Sequence, residues 1–137
     1  MAVAKVPTKQ LGTFKNLALS NVPCDVSVYA GAVVRIDAGT GNFINAIATD
    51  PINGNVIGIC ALKVSPTACD VLLPGSVTES IYIGLPLNTR FFLSDIVAGG
   101  FTTSFPTTAG AVILEIGKSY TSSKLLFVPQ LMIRRAV

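Results

Sequence analysis

The sequence predicts an all-β fold, a small antiparallel β-barrel or sandwich with an extended N-terminal arm. Three observations predict it. Hydrophobic residues recur mostly with a period of two. Turn residues interrupt the chain at short intervals. No window of about eleven residues or more carries a convincing amphipathic helical repeat.

Taken from the N-terminus, residues 1–16 read as the arm. The nearest approach to a helix is "PTKQLGTFKNLALS", which Gly12 and the β-branched Thr13 weaken. Strands are expected at 25–29, 33–37, 43–48, 55–64, 68–73, 77–83, 89–93, 112–120 and 124–133. In "VVRID" (33–37), Val34 and Ile36 fall on one face and Arg35 and Asp37 on the other. "NVIGICALKV" (55–64) is more uniformly apolar, the mark of a central strand covered on both faces. In "ESIYIG", Ile81 and Ile83 flank Tyr82, and in "VILEIGKSY" Val112, Leu114 and Ile116 alternate with Ile113, Glu115 and Gly117.

Between these runs lie "DAGTGN", "DPINGN", "LPGS", "GLPLN", "AGG" and "TTAG". Glycine supplies positive φ, proline fixes φ, and Asn or Asp tolerates the left-handed region. The uncharged stretch "GGFTTSFPTTAGAV" (99–112) reads as the hairpin or crossover between two late strands, with Gly99 and Gly100 at its turn and Pro106 stiffening it. No internal repeat of fixed period is present. The domain plan is an arm over 1–16, one β-rich domain over 17–133 and a short basic tail over 134–137.

Composition narrows the class of function. Half of the 137 residues are hydrophobic and only 12% are charged, which excludes a disordered chain. No apolar run reaches the length of a membrane span, and the N-terminus lacks the apolar core of a signal peptide, so no membrane partner is expected. The 10 Ser and 12 Thr are expected to supply much of the polar surface. A chain this apolar and this poorly charged is expected to bury surface against other chains. The charge is uneven. Lys5, Lys9, Lys15, Arg134 and Arg135 place +5 at the two ends, while the middle carries −2. Basic ends on a slightly acidic body suit docking to an acidic surface.

Catalytic chemistry finds few carriers. The chain has no histidine, the commonest general base and metal ligand. Asp37 and Asp50 sit in turn sequences, where a carboxylate caps its own backbone. "GTGNFI" leads toward a strand and lacks the further glycine and the lysine of a phosphate loop. "DPINGN" offers one acid where a calcium loop needs several. No catalytic, cofactor-binding or metal-ligating residue is therefore assigned, and no enzyme activity or cofactor is expected. The aromatics are scattered within apolar runs and the net charge is only +3, so no nucleic-acid partner is expected. Cys24, Cys60 and Cys69 are odd in number and lack a C-x-x-C spacing. They read as buried free thiols acting as small hydrophobes, with a Cys60–Cys69 hairpin disulfide as the alternative.

The C-terminal half carries a resemblance. In "GLPLNTRFFLSDIVAGGFTTSFPTTAGAVILEIGKSYTSSKLLFVPQ" (84–130), Leu93 and Ser94 close an aromatic strand and Gly99-Gly100-Phe101-Thr102-Thr103 follow. Then come Pro106-Thr107-Thr108 with Gly110, Ile116-Gly117, and a Leu125-Leu126 strand ending at Pro129-Gln130. The upstream "AGAVVRIDAGT" and "NGNVIGICALKV" fit the same pattern. This order resembles that of β-domains in structural proteins of tailed bacteriophages, which include capsid decoration (cement) proteins and head or tail fibres. The short chain, with no repeat or coiled coil, favours the decoration proteins.

The resemblance implies a β-barrel or sandwich that binds the outside of a phage capsid and stabilises the lattice, with the major capsid protein as partner. It implies a homotrimer, made in the host cytoplasm and located on the outer capsid surface of the virion. A fibre or host receptor-binding module is the alternative. Within that reading, Lys5, Lys9, Lys15, Arg134 and Arg135 are the expected capsid contacts. Phe91, Phe92, Phe101 and Phe105 are candidate anchors for self-association, with ordinary core packing as the stronger alternative.

Overall fold

The computed structural model describes residues 17–79 and 81–134. Nine strands form two antiparallel sheets. Sheet A holds β1 (Ala18–Pro23), β2 (Val33–Ile36), β3 (Phe43–Asn45), β4 (Gly58–Ser65) and β5 (Ala68–Leu72), in the order β1-β5-β4-β2-β3. Sheet B holds β6 (Arg90–Leu93), β7 (Phe101–Thr102), β8 (Val112–Ser119) and β9 (Leu125–Arg134), in the order β7-β6-β8-β9. The all-β reading holds. Two separate ladders fit the sandwich alternative, with inward-facing residues of both sheets sharing one core.

That core draws Val33 and Ile59 from sheet A and Phe91, Leu93, Leu114, Ile116 and Phe127 from sheet B. Val112, Leu114 and Ile116 all face it, as their alternation predicts. A second core lies on the far face of sheet A. There Val34, Phe43, Cys60, Cys69 and Val71 are covered by Cys24, Val28 and Ala32 from the segment before β2. Consecutive residues Ile59 and Cys60 therefore enter different cores, the two-sided burial expected of a central strand. Lys63 on β4 fastens the covering segment. Its ammonium donates to the carbonyls of Asp25, Val26 and Val28 at 3.1, 3.2 and 2.6 Å.

Three segments differ from the expected elements. Residues 25–29 form a turn, because the Asp25 carboxylate accepts from the Ser27 amide and hydroxyl and the Asp25 carbonyl accepts from Val28 N–H. The strand there is instead β1, whose residues are nearly all exposed and show no alternation to read. Among the described residues of 77–83 only Val77 makes a bridge, to Leu126. The inward residue is Tyr82, whose hydroxyl donates to Gly31 O at 2.7 Å, while Ile83 is 95% exposed. The third difference is β7, a two-residue strand inside the stretch taken for a plain connection. It pairs with β6 through Phe92↔Thr102 and Leu93↔Phe101. The chain then crosses β6 to reach β8. β9 also runs one residue past the expected domain limit, to Arg134, which pairs in register with Val112.

Connecting segments stitch the two sheets at both flanks. On one side Gly99 N–H donates to Ala46 O at 2.7 Å, and Gly99 O accepts from Val33 N–H at 2.9 Å. Ala48 N–H donates to Ser94 O, and Ala48 O accepts from Val112 N–H. On the other side buried Ser76 exchanges hydrogen bonds with Leu17 through its hydroxyl, and its carbonyl accepts from Phe127 N–H. Gly99 is in the left-handed region at φ 77°, and an added Cβ would lie 3.0 Å from Ala32 Cβ and Asn45 Oδ1. Gly99→Ala is expected to lower stability by about 1–3 kcal/mol through backbone strain and crowding. Urea unfolding of the two proteins measures it.

The turn carboxylates behave as their sequences predict. Asp50 accepts from the amides of Asn53 and Ile52 at 2.8 and 2.9 Å, and Asp37 accepts from the Thr40 hydroxyl at 2.9 Å. Hydrogen bonds hold three carboxyls below the ordinary 3.8: from the Asn53 amide to Asp50, from the Ser27 side chain to Asp25, and from the Thr108 side chain to Asp95. Their folded values lie below the unfolded ones. The stability they confer is therefore complete above about pH 5 and is lost as pH falls through the folded values. The thermal midpoint is expected to drop between about pH 5 and about pH 2, and Asp50→Asn to shrink that drop.

Candidate interaction surfaces

The outer faces of the two sheets are finished differently. Sheet A has its covering segment. The outer face of sheet B is covered only in part: Phe105 lies over Phe92 at its β6 side, and among the described residues nothing comparable covers its β9 side. Leu126, Val128 and Met132 stand on it, between 42% and 48% exposed. Leu126 and Val128 line a shallow depression of about 180 Å³ with Glu115, Gly117, Lys118 and Gln130. Gly117 permits the close approach of β9 here, since a Cβ would meet Leu126 O at 2.1 Å.

Lys118 also borders a larger open groove of about 530 Å³ at the β6 side of the same face. Three further pieces of chain build it with β8. The turn before β6 gives Asn88 and Thr89, β6 gives Arg90 and Phe92, and the segment after β7 gives Thr103, Ser104 and Phe105. Phe92 and Phe105 pack edge to face, ring centroids 4.8 Å apart and planes at 70°. The Arg90 guanidinium lies 5.4 Å from the Phe92 centroid and pairs with Glu115 at 2.5 Å. Arg90 and Lys118 are directly opposite each other in the β6–β8 register. Two like charges face one groove there, an arrangement that destabilises a strand pair.

The four predicted phenylalanines divide between inside and outside. Phe91 is buried in the shared core, edge to face with Phe101 at 5.0 Å, and Phe101 packs in turn on Tyr82 at 5.1 Å. For these two, core packing is the role. Phe92 is buried beneath Phe105, which is 55% exposed and the one of the four that presents a ring to solvent. The period-two pattern separated Phe91 from Phe92 in principle. Phe105 lies outside any strand, where no period applies.

Of the five basic residues, Lys5, Lys9, Lys15 and Arg135 lie outside the described residues. Arg134 belongs to β9 by its backbone pairing and not to a tail. Sequence reasoning missed the exposed row on β9. Its signal was present in "LLFVPQLM", where apolar residues occupy both faces of a strand. It also missed the cation pair, which depends on register.

The three cysteines are free and buried in the second core, so the hairpin disulfide is not formed. Cys60 is directly opposite Val71, and Cys69 opposite Lys63. Burial pushes the Cys60 thiol up and the Cys69 thiol to about 12, which keeps both protonated and apolar. Among the described residues no group of three or more His, Cys, Asp or Glu is placed to hold a metal ion.

Comparison with protein-family models, with curated proteins and with solved structures gives no match.

Phe91→Ala is expected to cost about 3–5 kcal/mol, as a large cavity in a shared core does. Phe105→Ala is expected to cost about 0.5–1.5 kcal/mol, the worth of one aromatic pair. Denaturant midpoints of the two variants separate the core ring from the surface ring.

Proposed function

We propose that this chain is a structural virion protein that decorates the outside of a phage capsid and stabilises its lattice as a homotrimer. The observation that carries the reading is the open β9 side of the outer face of sheet B, where Leu126, Val128 and Met132 stand between 42% and 48% exposed along one strand. Isolated exposed apolar residues need no explanation, but a contiguous group marks a contact with another protein. In this reading three copies turn that face toward a common axis. The basic ends, with Lys5, Lys9 and Lys15 before β1 in the sequence and Arg134 and Arg135 at the C-terminal side, meet carboxylates of the major capsid protein. Several weak attachments per trimer then hold each other in place, because a released contact stays close to its partner.

The resemblance in residues 84–130 supports the virion assignment. The fold gives the strands their mechanical part. β9 is long enough to carry the row, while Pro129 and the bulge between Glu115 and Gly117 limit addition of a further strand. Contact through side chains is favoured over strand addition.

Two measurements test the reading. Sedimentation is expected to give three chain masses for the natural protein and one for Leu126→Lys/Val128→Lys, with unchanged far-ultraviolet dichroism. Capsid shells of the same phage, stripped of the protein, are expected to bind it and to melt at a higher temperature. Deletion of residues 1–16 is expected to abolish shell binding and leave the trimer intact. Binding to host cells without binding to shells would move the chain to the fibre modules instead.

A further inference from the structure

We propose that the groove between β6 and the segment after β7 is a binding site for an acidic saccharide, a pyranose ring bearing a carboxylate. The inference is independent of the virion reading and concerns the opposite side of the sheet B face from the β9 row.

Charge comes first. Arg90 and Lys118 are cross-strand partners whose side chains line the same groove. Glu115 is the acid on hand, and it is engaged by Arg90 at 2.5 Å. One cation is balanced, and the exposed Lys118 ammonium leaves the groove with a surplus of one positive charge. A like-charged pair placed directly opposite costs stability, and a bound carboxylate would turn that cost into an attraction.

The rest of the lining selects the class of anion. Phe105 presents an exposed ring, steadied from beneath by the edge-to-face contact with Phe92. A flat apolar surface of that kind suits the C–H face of a pyranose ring. Around it stand uncharged donors and acceptors, Asn88, Thr103 and Ser104, matched to sugar hydroxyls. The volume of about 530 Å³ accommodates one or two sugar rings. A nucleic-acid strand is disfavoured, since it would need several phosphate-neutralising cations and successive stacking rings. Here there is one unbalanced cation and one exposed ring.

Asn88 adds a structural reason to expect a preformed site. It holds a positive φ of 52° at the turn into β6, a left-handed backbone that asparagine tolerates. The Thr89 amide donates to the buried Ser119 hydroxyl, and the Thr89 hydroxyl donates to Leu87 O. The turn that forms one wall is thereby tied to β8, the strand that carries Lys118.

The test is an amide chemical-shift titration of the full chain with trigalacturonate, with sialyllactose, with neutral lactose and with a short single-stranded oligonucleotide. Saturable shifts centred on Ser104, Phe105 and Lys118 are expected with at least one acidic sugar. Lactose is expected to bind at least about tenfold more weakly, the worth of one charge-assisted contact. Lys118→Gln and Phe105→Ala are each expected to weaken acidic-sugar binding by about tenfold or more. Both sites are exposed, so the fold is retained. Lys124→Gln, a cation outside the groove, is expected to leave binding unchanged. The proposal is overturned if neither acidic sugar gives a saturable shift at millimolar concentration. It is equally overturned if lactose binds as well as they do, if Lys118→Gln binds normally, or if the oligonucleotide is the tighter ligand. Shell binding by Lys118→Gln reads the virion assignment separately.

Discussion

The structure depends on a place where two sheets must touch through backbone with no side chain between them. Gly99 occupies it. It reaches Ala46 with its N–H and Val33 with its carbonyl, and Ala32, Asn45 and Tyr29 crowd the position a Cβ would take. Since β7 follows directly, the same residue decides how the chain crosses β6 and where the segment carrying Phe105 leaves the sheet. The groove thus follows from a junction a few residues earlier in the chain, since Gly99 leads through β7 into the segment that carries Ser104 and Phe105. At the opposite flank Ser76 performs the matching task with its hydroxyl and carbonyl. A buried polar group is tolerated there because its hydroxyl both donates to and accepts from backbone.

This arrangement gives the molecule a finished side and an unfinished one. Sheet A is enclosed by two cores, and Lys63 closes its outer layer with three carbonyls. Sheet B shares one core, and among the described residues the β9 side of its other face stays open to solvent. The chain does not waste apolar residues at random there. The open face gathers an apolar row on β9, an ion pair in the middle and an aromatic, cationic groove on β6. A packing surface and a ligand groove can share one face, because they sit on different strands of it.

Much of the fold was legible in the residues. Alternation located β2 and β8, and the uniform run of β4 announced burial on both faces, which Ile59 and Cys60 bear out residue by residue. Turn chemistry at Asp37 and Asp50 was equally readable, since an Asx turn closes within three residues. β1 was not legible, because its exposed residues carry no period and it exists only by pairing with β5. Residues 77–83 misled because alternation does not supply a pairing partner: among the described residues only Val77 bridges, and the Tyr82 hydroxyl is tied to Gly31 instead. Ser and Thr were expected mainly at the surface, yet Ser76, Thr78 and Ser119 are wholly buried as partners for connecting backbone.

The sequence by itself determined the class of fold, most of the strands, the buried character of the cysteines and the want of charge that makes association the natural expectation. These follow from local patterns and composition, which act over a few residues or over the chain as a whole. Only the tertiary structure decided which sheet face stays open, that Phe91 and Phe101 are interior while Phe105 is not, and that Arg90 stands opposite Lys118. Those facts depend on strand order, register and bulges. Register is set by pairings between segments tens of residues apart, and a shift of one residue reverses every side chain on a strand.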